Sequence, residues 1–159
     1  MALNEINMSK EAFLKTELPA LCGKLDANQK GKWGVMNAQQ MVEHMSESFR
    51  IANGRFPHQI VLTPEQVTKA YSFIMSDKPF RENTKNQLLP DTPRPVLHES
   101  MDSAIKELRD EIAYFFRHFD ENKDLRVTNP FFGDLSREEW IHGLHKHAVH
   151  HLKQFNLHP

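Results

Sequence analysis

Apolar residues recur at helical spacing along most of the chain, and turn signals cut the pattern into four long segments. The first covers about residues 9–25, with Leu14, Leu18, Leu21 and Leu25 on one stripe. Pro19 within it predicts a kink or a split, because proline removes a helical donor. A loop follows at Gly31, Lys32, Trp33 and Gly34. Asn37 then reads as an N-cap, with Gln40 three residues later as in a capping box. Met41, Met45, Phe49 and Ala52 make the apolar face of the second helix, and Asn53-Gly54 ends it. The third helix is predicted over residues 99–119. Met101, Ile105, Leu108, Ile112, Phe115 and Phe119 repeat there at four-three spacing, the seam of a bundle. Asn129-Pro130 and Gly133 mark a loop, and Ser136 with Glu139 opens a last helix that runs to about Phe155. No alternating strand pattern stands out.

Residues 55–98 join the second helix to the third. Thr63-Pro64-Glu65-Gln66 sets a cap, a proline in the first turn and a capping glutamine, so a short helix is predicted over residues 64–75. Pro79, Pro90, Pro93 and Pro95 forbid regular structure around them. A connection this long is a crossover over the bundle or a functional loop. The pattern as a whole predicts an all-α, up-down four-helix bundle with a long crossover between helices 2 and 3, in a single domain over residues 1–159.

Composition narrows the function. A chain of 159 residues is enough to bury roughly 70 % of its unfolded surface without staples. Eleven Phe and two Trp exclude disorder by composition. Twenty Lys and Arg against 21 Asp and Glu give a net charge of −1, which argues against a nucleic-acid partner. No apolar run approaches the ~20 residues of a membrane span. The single cysteine, Cys22, cannot form an internal disulfide and reads as a buried core thiol. The first ten residues carry no apolar signal core, and the expected compartment is the cytoplasm. Histidine is the unusual count: ten, of which six follow residue 141.

At ~100° per residue, the last helix can be read as a wheel with His147 at the origin. Trp140, Leu144, Ala148, His151 and Phe155 then share its face, within ~100°. His147 and His151 stand one turn apart on the buried side, where imidazoles need hydrogen bonds or a ligated ion. Two histidines at this spacing can chelate one metal. His44 projects from the apolar side of the second helix, near Met41 and Met45, and is the candidate third ligand. Three neutral imidazoles leave a position open for water or substrate. Gln154 faces the same side as the pair and Ser48 the same side as His44, so both are candidates to hold a ligand. Glu47, one turn from His44, is the candidate general base, although a solvated carboxylate is the simpler reading. His142, His145 and His150 read as a solvated face. His58, His98, His118 and His158 stand in loops or at helix ends. Met36, Met41 and Met45 read as core, while Trp33, Phe131 and Phe132 read as loop aromatics that cap it or line a pocket mouth.

The run from His147 to Gln154 resembles the metal-binding last helix of the DinB/YfiT-like superfamily. A His there is followed four residues on by a second His and three later by Gln. His44, in Met41-Val42-Glu43-His44, matches that superfamily's ligand on the second helix. Lys32-Trp33-Gly34-Val35-Met36-Asn37 with Gln40-Met41, and Pro130-Phe131-Phe132-Gly133-Asp134-Leu135, resemble one branch of it, a domain of unknown function. The resemblance spans about residues 10–156. It implies an up-down bundle holding a divalent ion, often nickel or zinc, on three histidines, and a homodimer. Relatives include thiol-dependent transferases and isomerases that use low-molecular-weight thiols, and others described only as metal-dependent hydrolases. The chain departs from the pattern at Leu152-Lys153, where a small residue is usual, and in the length of the 55–98 connection.

The expected function is a metal-dependent enzyme, a hydrolase or thiol-dependent transferase, with a divalent ion on His44, His147 and His151 and a small-molecule substrate. The alternative is a non-enzymatic module that binds metal or a small ligand at a vestigial site. A homodimer is also expected from the third helix, where Phe116 and Ala113 widen the apolar stripe beyond one seam.

Overall fold

The computed structural model describes residues 9–82 and 92–158. Pro90 and residues 1–8, most of the stretch read for a signal core, lie outside the described residues. The chain is mostly helical. A π-helical segment, Phe13–Glu17, runs directly into α1 (Leu18–Cys22). α2 (Ala38–Ala52), α3 (Pro64–Met75) and α4 (Met101–Glu121) follow. Two short strands, β1 (Val127–Asn129) and β2 (Gly133–Leu135), precede α5 (Arg137–Gln154).

Local chemistry explains the starts. Asn37, Thr63 and Ser136 each accept from a backbone N–H three residues on, and Gln40, Gln66 and Glu139 reach back to the cap. Each thereby satisfies two of the donors a helix start leaves open. The segment divides at Pro19, as expected, into the π-helical stretch and α1. The Leu18 N–H bonds back to the Phe13 carbonyl, so a π-turn absorbs the register change and places Pro19 in the first turn of α1, where its missing donor is harmless.

The loop expected at Asn129-Pro130 and Gly133 is the turn of an antiparallel hairpin, with Val127 opposite Leu135 and Asn129 opposite Gly133. The all-α expectation is corrected to that extent. Three-residue strands are too short to show an alternating pattern. Asn129 Oδ1 accepts from the Phe131 and Phe132 N–H groups, and Gly133 takes φ 83°, which closes the turn. The hairpin is tied to α5 by the indole of Trp140, which donates to the Val127 carbonyl at 3.1 Å.

The core lies chiefly between α2 and α4. Phe49 packs edge-on against Phe115 with ring centroids 5.8 Å apart, and both are fully buried. The π-helical segment, α1 and α5 close it with Leu14, Leu18, Ile141 and Leu152. One polar network is buried here: Asn53 Nδ2 donates to Glu111 at 2.8 Å, and Arg50 and Arg55 neutralise that carboxylate. Phe116, which widened the third helix's stripe, is buried beneath Lys15 and Arg137. That width therefore has an intramolecular use, with Ala113 left exposed. The short helix α3 packs on α5, where a Cβ on Gly143 would meet Ile74 at 3.3 Å. Among the described residues, no helix is long and apolar enough to cross a membrane.

Candidate metal centre

His44 on α2 and His147 and His151 on α5 converge. His147 Nε2 lies 3.0 Å from His44 Nε2 and 3.0 Å from His151 Nε2. One ligand atom from each residue falls within 4.8 Å of the others. The three rings meet edge to face, with centroids 4.6–5.0 Å apart.

The groups behind the rings decide where the protons sit. Gln154 Nε2 donates to the Trp33 carbonyl at 2.8 Å, which can only accept, so its Oε1 faces His151 Nδ1, also at 2.8 Å. His151 must then carry its proton on Nδ1, and its Nε2 presents a bare lone pair. Ser48 Oγ donates to the His44 carbonyl at 3.2 Å and so accepts from His147 Nδ1 at 3.2 Å. His147 Nε2 is bare for the same reason. Two bare nitrogens 3.0 Å apart repel unless a cation lies between them. Burial works against a proton as that cation. Burial first, then the charge of His44, pushes the His151 pKa down to about 3. Burial first, then His151 and His44, holds His147 well below its ordinary value. His44 is lowered mainly by burial, with Glu47 opposing.

A metal ion suits this donor set. With metal–nitrogen bonds of ~2.0–2.1 Å, two imidazole nitrogens on one ion at angles of ~90–110° stand roughly 2.9–3.4 Å apart. The observed 3.0 Å spacings fall in that range. His151 is buried at 7 % exposure, and His44 and His147 are intermediate.

Residues 15–158 match a family described as a protein of unknown function, DUF1569. The chain belongs to the DUF1569 family. No curated protein and no solved structure matches it.

In this DUF1569 chain the structure brings Ser48 and Gln154 to the ligands, each holding one ring. Glu47 lies near His44, but its carboxylate pairs with Arg94 Nη1 at 3.0 Å. The expected solvated face of His142, His145 and His150 is corrected. All three are half-buried and line a cleft closed by residues 76–80 and Trp33. His145 stacks edge-on against Phe13, and burial holds its pKa down to about 4. Trp33 lines the cleft, while Phe132 packs against the core. Cys22 is fully buried, and burial raises its pKa to about 12, which makes it an unreactive core thiol.

The role of residues 31–34 is not readable from the pattern. The Lys32 N–H donates to the Gln154 carbonyl at 2.7 Å, and the Trp33 carbonyl takes the Gln154 amide. A Cβ on Gly31 would stand 2.7 Å from Gln154 Cγ, and one on Gly34 would stand 2.6 Å from Nε2. Gly34 also takes φ +79°. The loop clasps the end of α5 and sets the amide that sets His151. Two glycines around one tryptophan are its only trace in the sequence.

Proposed function

We propose that this protein is a metal-dependent enzyme, with His44, His147 and His151 holding one divalent ion, nickel or zinc. The observation that carries the reading is the pair of bare Nε2 atoms, fixed in that state by Gln154 and Ser48. The resemblance to the DinB/YfiT-like superfamily supports the same ligand set and a bundle architecture. When bound, the ion would act as a Lewis acid and lower the pKa of a water or thiol to near neutral. The chain's own residues do the rest. Gln154 and Ser48 orient the ligand rings and keep them basic at Nε2. Phe80, which lines the neighbouring cleft, stands 6.3 Å from the His147 ring, and a small molecule would approach the ion from that side. Glu47, held by Arg94, shapes the field at His44, and its use as a proton acceptor requires that pair to open. Hydrolysis and thiol transfer both fit an open three-His site. Elemental analysis of protein purified without added chelator tests the metal. A screen of the loaded protein with ester and thiol substrates tests the chemistry. Less than 0.1 equivalent of any divalent metal, with none taken up on addition, would overturn the reading.

A further inference from the structure

α5 uses two sides. One carries the metal ligands; the other presents His142, Lys146, Val149, His150 and Lys153 to a cleft of about 560 Å³. Clefts of ~300–1,000 Å³ are the usual size for small organic ligands. One end adjoins the metal centre. The His150 ring is bracketed by Trp33 and Phe80, with centroids 5.6 and 5.5 Å away, and Phe80 stands 6.3 Å from His147. These rings and Val149 make an apolar slot. The other end is cationic. Lys10 Nζ donates to His142 Nδ1 at 2.7 Å and has two further protons to offer. Lys146 is already engaged by the Phe73 and Ser76 carbonyls, at 2.8 and 2.6 Å.

The charge balance points to the ligand. Four lysines line the cleft, Lys10, Lys78, Lys146 and Lys153, against the two carboxylates Asp77 and Glu82. This local excess sits in a chain whose net charge is −1. The crowding is felt by its members. Burial and then the Lys10 charge hold His142 below its ordinary range, with the Ser76 carbonyl opposing. An anion placed there relieves the repulsion and finds the remaining protons of the Lys10 ammonium. His142 and His150 are eight positions apart, or ~12 Å along a helix rising ~1.5 Å per residue. That is the distance from the cationic end to the aromatic slot.

We propose that this cleft binds a small organic anion, its acidic group at Lys10, which His142 Nδ1 holds in place, and its apolar body between Trp33 and Phe80. Only the further step, that the bound molecule's far end meets the metal centre as substrate, rests on the function proposed above. The test uses 5-phenylpentanoate and its neutral primary amide as probes of matched shape. Binding is read by calorimetry and by Trp33 fluorescence, because the other tryptophan, Trp140, is buried and bonded in the core. The carboxylate should bind at least tenfold tighter than the amide. Lys10→Gln should erase that preference and leave amide binding unchanged, while Lys10→Arg should retain it. His142→Leu removes the acceptor that holds Lys10 and gives a second loss should Lys10→Gln fold poorly. Equal binding of carboxylate and amide, or no binding of either, overturns the proposal. Metal content measured on the same samples separates the two readings. A metal-free protein that still prefers the carboxylate leaves the cleft standing and removes the metal enzyme. Stoichiometric metal without the preference does the reverse.

Discussion

Replacing Gln154 with leucine removes the relay from Trp33 to His151 while keeping similar volume. Gln154 is 3 % exposed and makes two 2.8 Å hydrogen bonds, so its loss strands a part-buried carbonyl and a buried Nδ1–H. Each stranded group costs about 1–3 kcal/mol, a gross loss of about 2–6 kcal/mol. Apolar burial of the leucine offsets part of this, and a net loss of about 2 kcal/mol is expected in metal-free protein. The effect on the site is separable. Without an acceptor behind Nδ1, His151 is free to change tautomer and rotate. Loss of such a partner lowers metal affinity about 10–100-fold. That corresponds to about 1.4–2.7 kcal/mol. Competition with a chromophoric chelator for zinc, run on wild type and Gln154→Leu, reads this directly. Gln154→Glu is the informative partner. Its carboxylate still accepts from His151 Nδ1 but cannot donate to the Trp33 carbonyl. It should keep near-wild-type zinc affinity while losing stability to urea. Wild-type zinc affinity in Gln154→Leu would refute the tautomer argument, and with it the main support for the metal centre.

Three further outcomes follow from the geometry. His147→Ala and His151→Ala should each abolish stoichiometric metal binding, while His142→Ala, His145→Ala and Glu47→Gln should retain it; equal metal content in all five would discredit the ligand assignment. Metal-free protein should lose stability in acid. The folded-state pKa values of about 3 for His151 and about 4 for His145 lie below the ~6.5 of an unfolded histidine. Below pH ~6.5 the unfolded chain takes up protons that the folded chain refuses, so stability is full above that pH and falls toward pH 4. A urea midpoint that stays flat between pH 7 and pH 5 after chelation would contradict it. Phe49→Ala, at a fully buried ring packed on Phe115, should cost about 3–5 kcal/mol in urea unfolding; a loss under about 1 kcal/mol would mean the α2–α4 seam is not a packed core.

What the amino-acid order reveals depends on how far apart the interacting groups lie. The caps at Asn37, Thr63 and Ser136 were readable because each is decided within four residues. The His147–His151 pair was readable because one helical turn fixes it, and His44 because its own helix shows which side is apolar. The partner of Gln154 was not, since it is a backbone carbonyl 121 residues away and periodicity says nothing about main-chain acceptors. The cleft was missed for a different reason. A helical wheel separates one buried face from everything else and cannot show what covers the remainder. His142 and His145 do stand apart from the His44, His147 and His151 cluster, but α3 and residues 76–80 cover that side as well. A local mark of the cover does exist: Gly143, in the middle of α5, is unfavourable to a helix by about 1 kcal/mol. Ile74 occupies the space its missing side chain leaves. A glycine kept at the centre of a helix against its own propensity is evidence that something lies against that face. In this chain it shows why histidines on both sides of α5 are partly removed from water, one set gathered with His44 in a cluster that could hold an ion and the other lining a cleft.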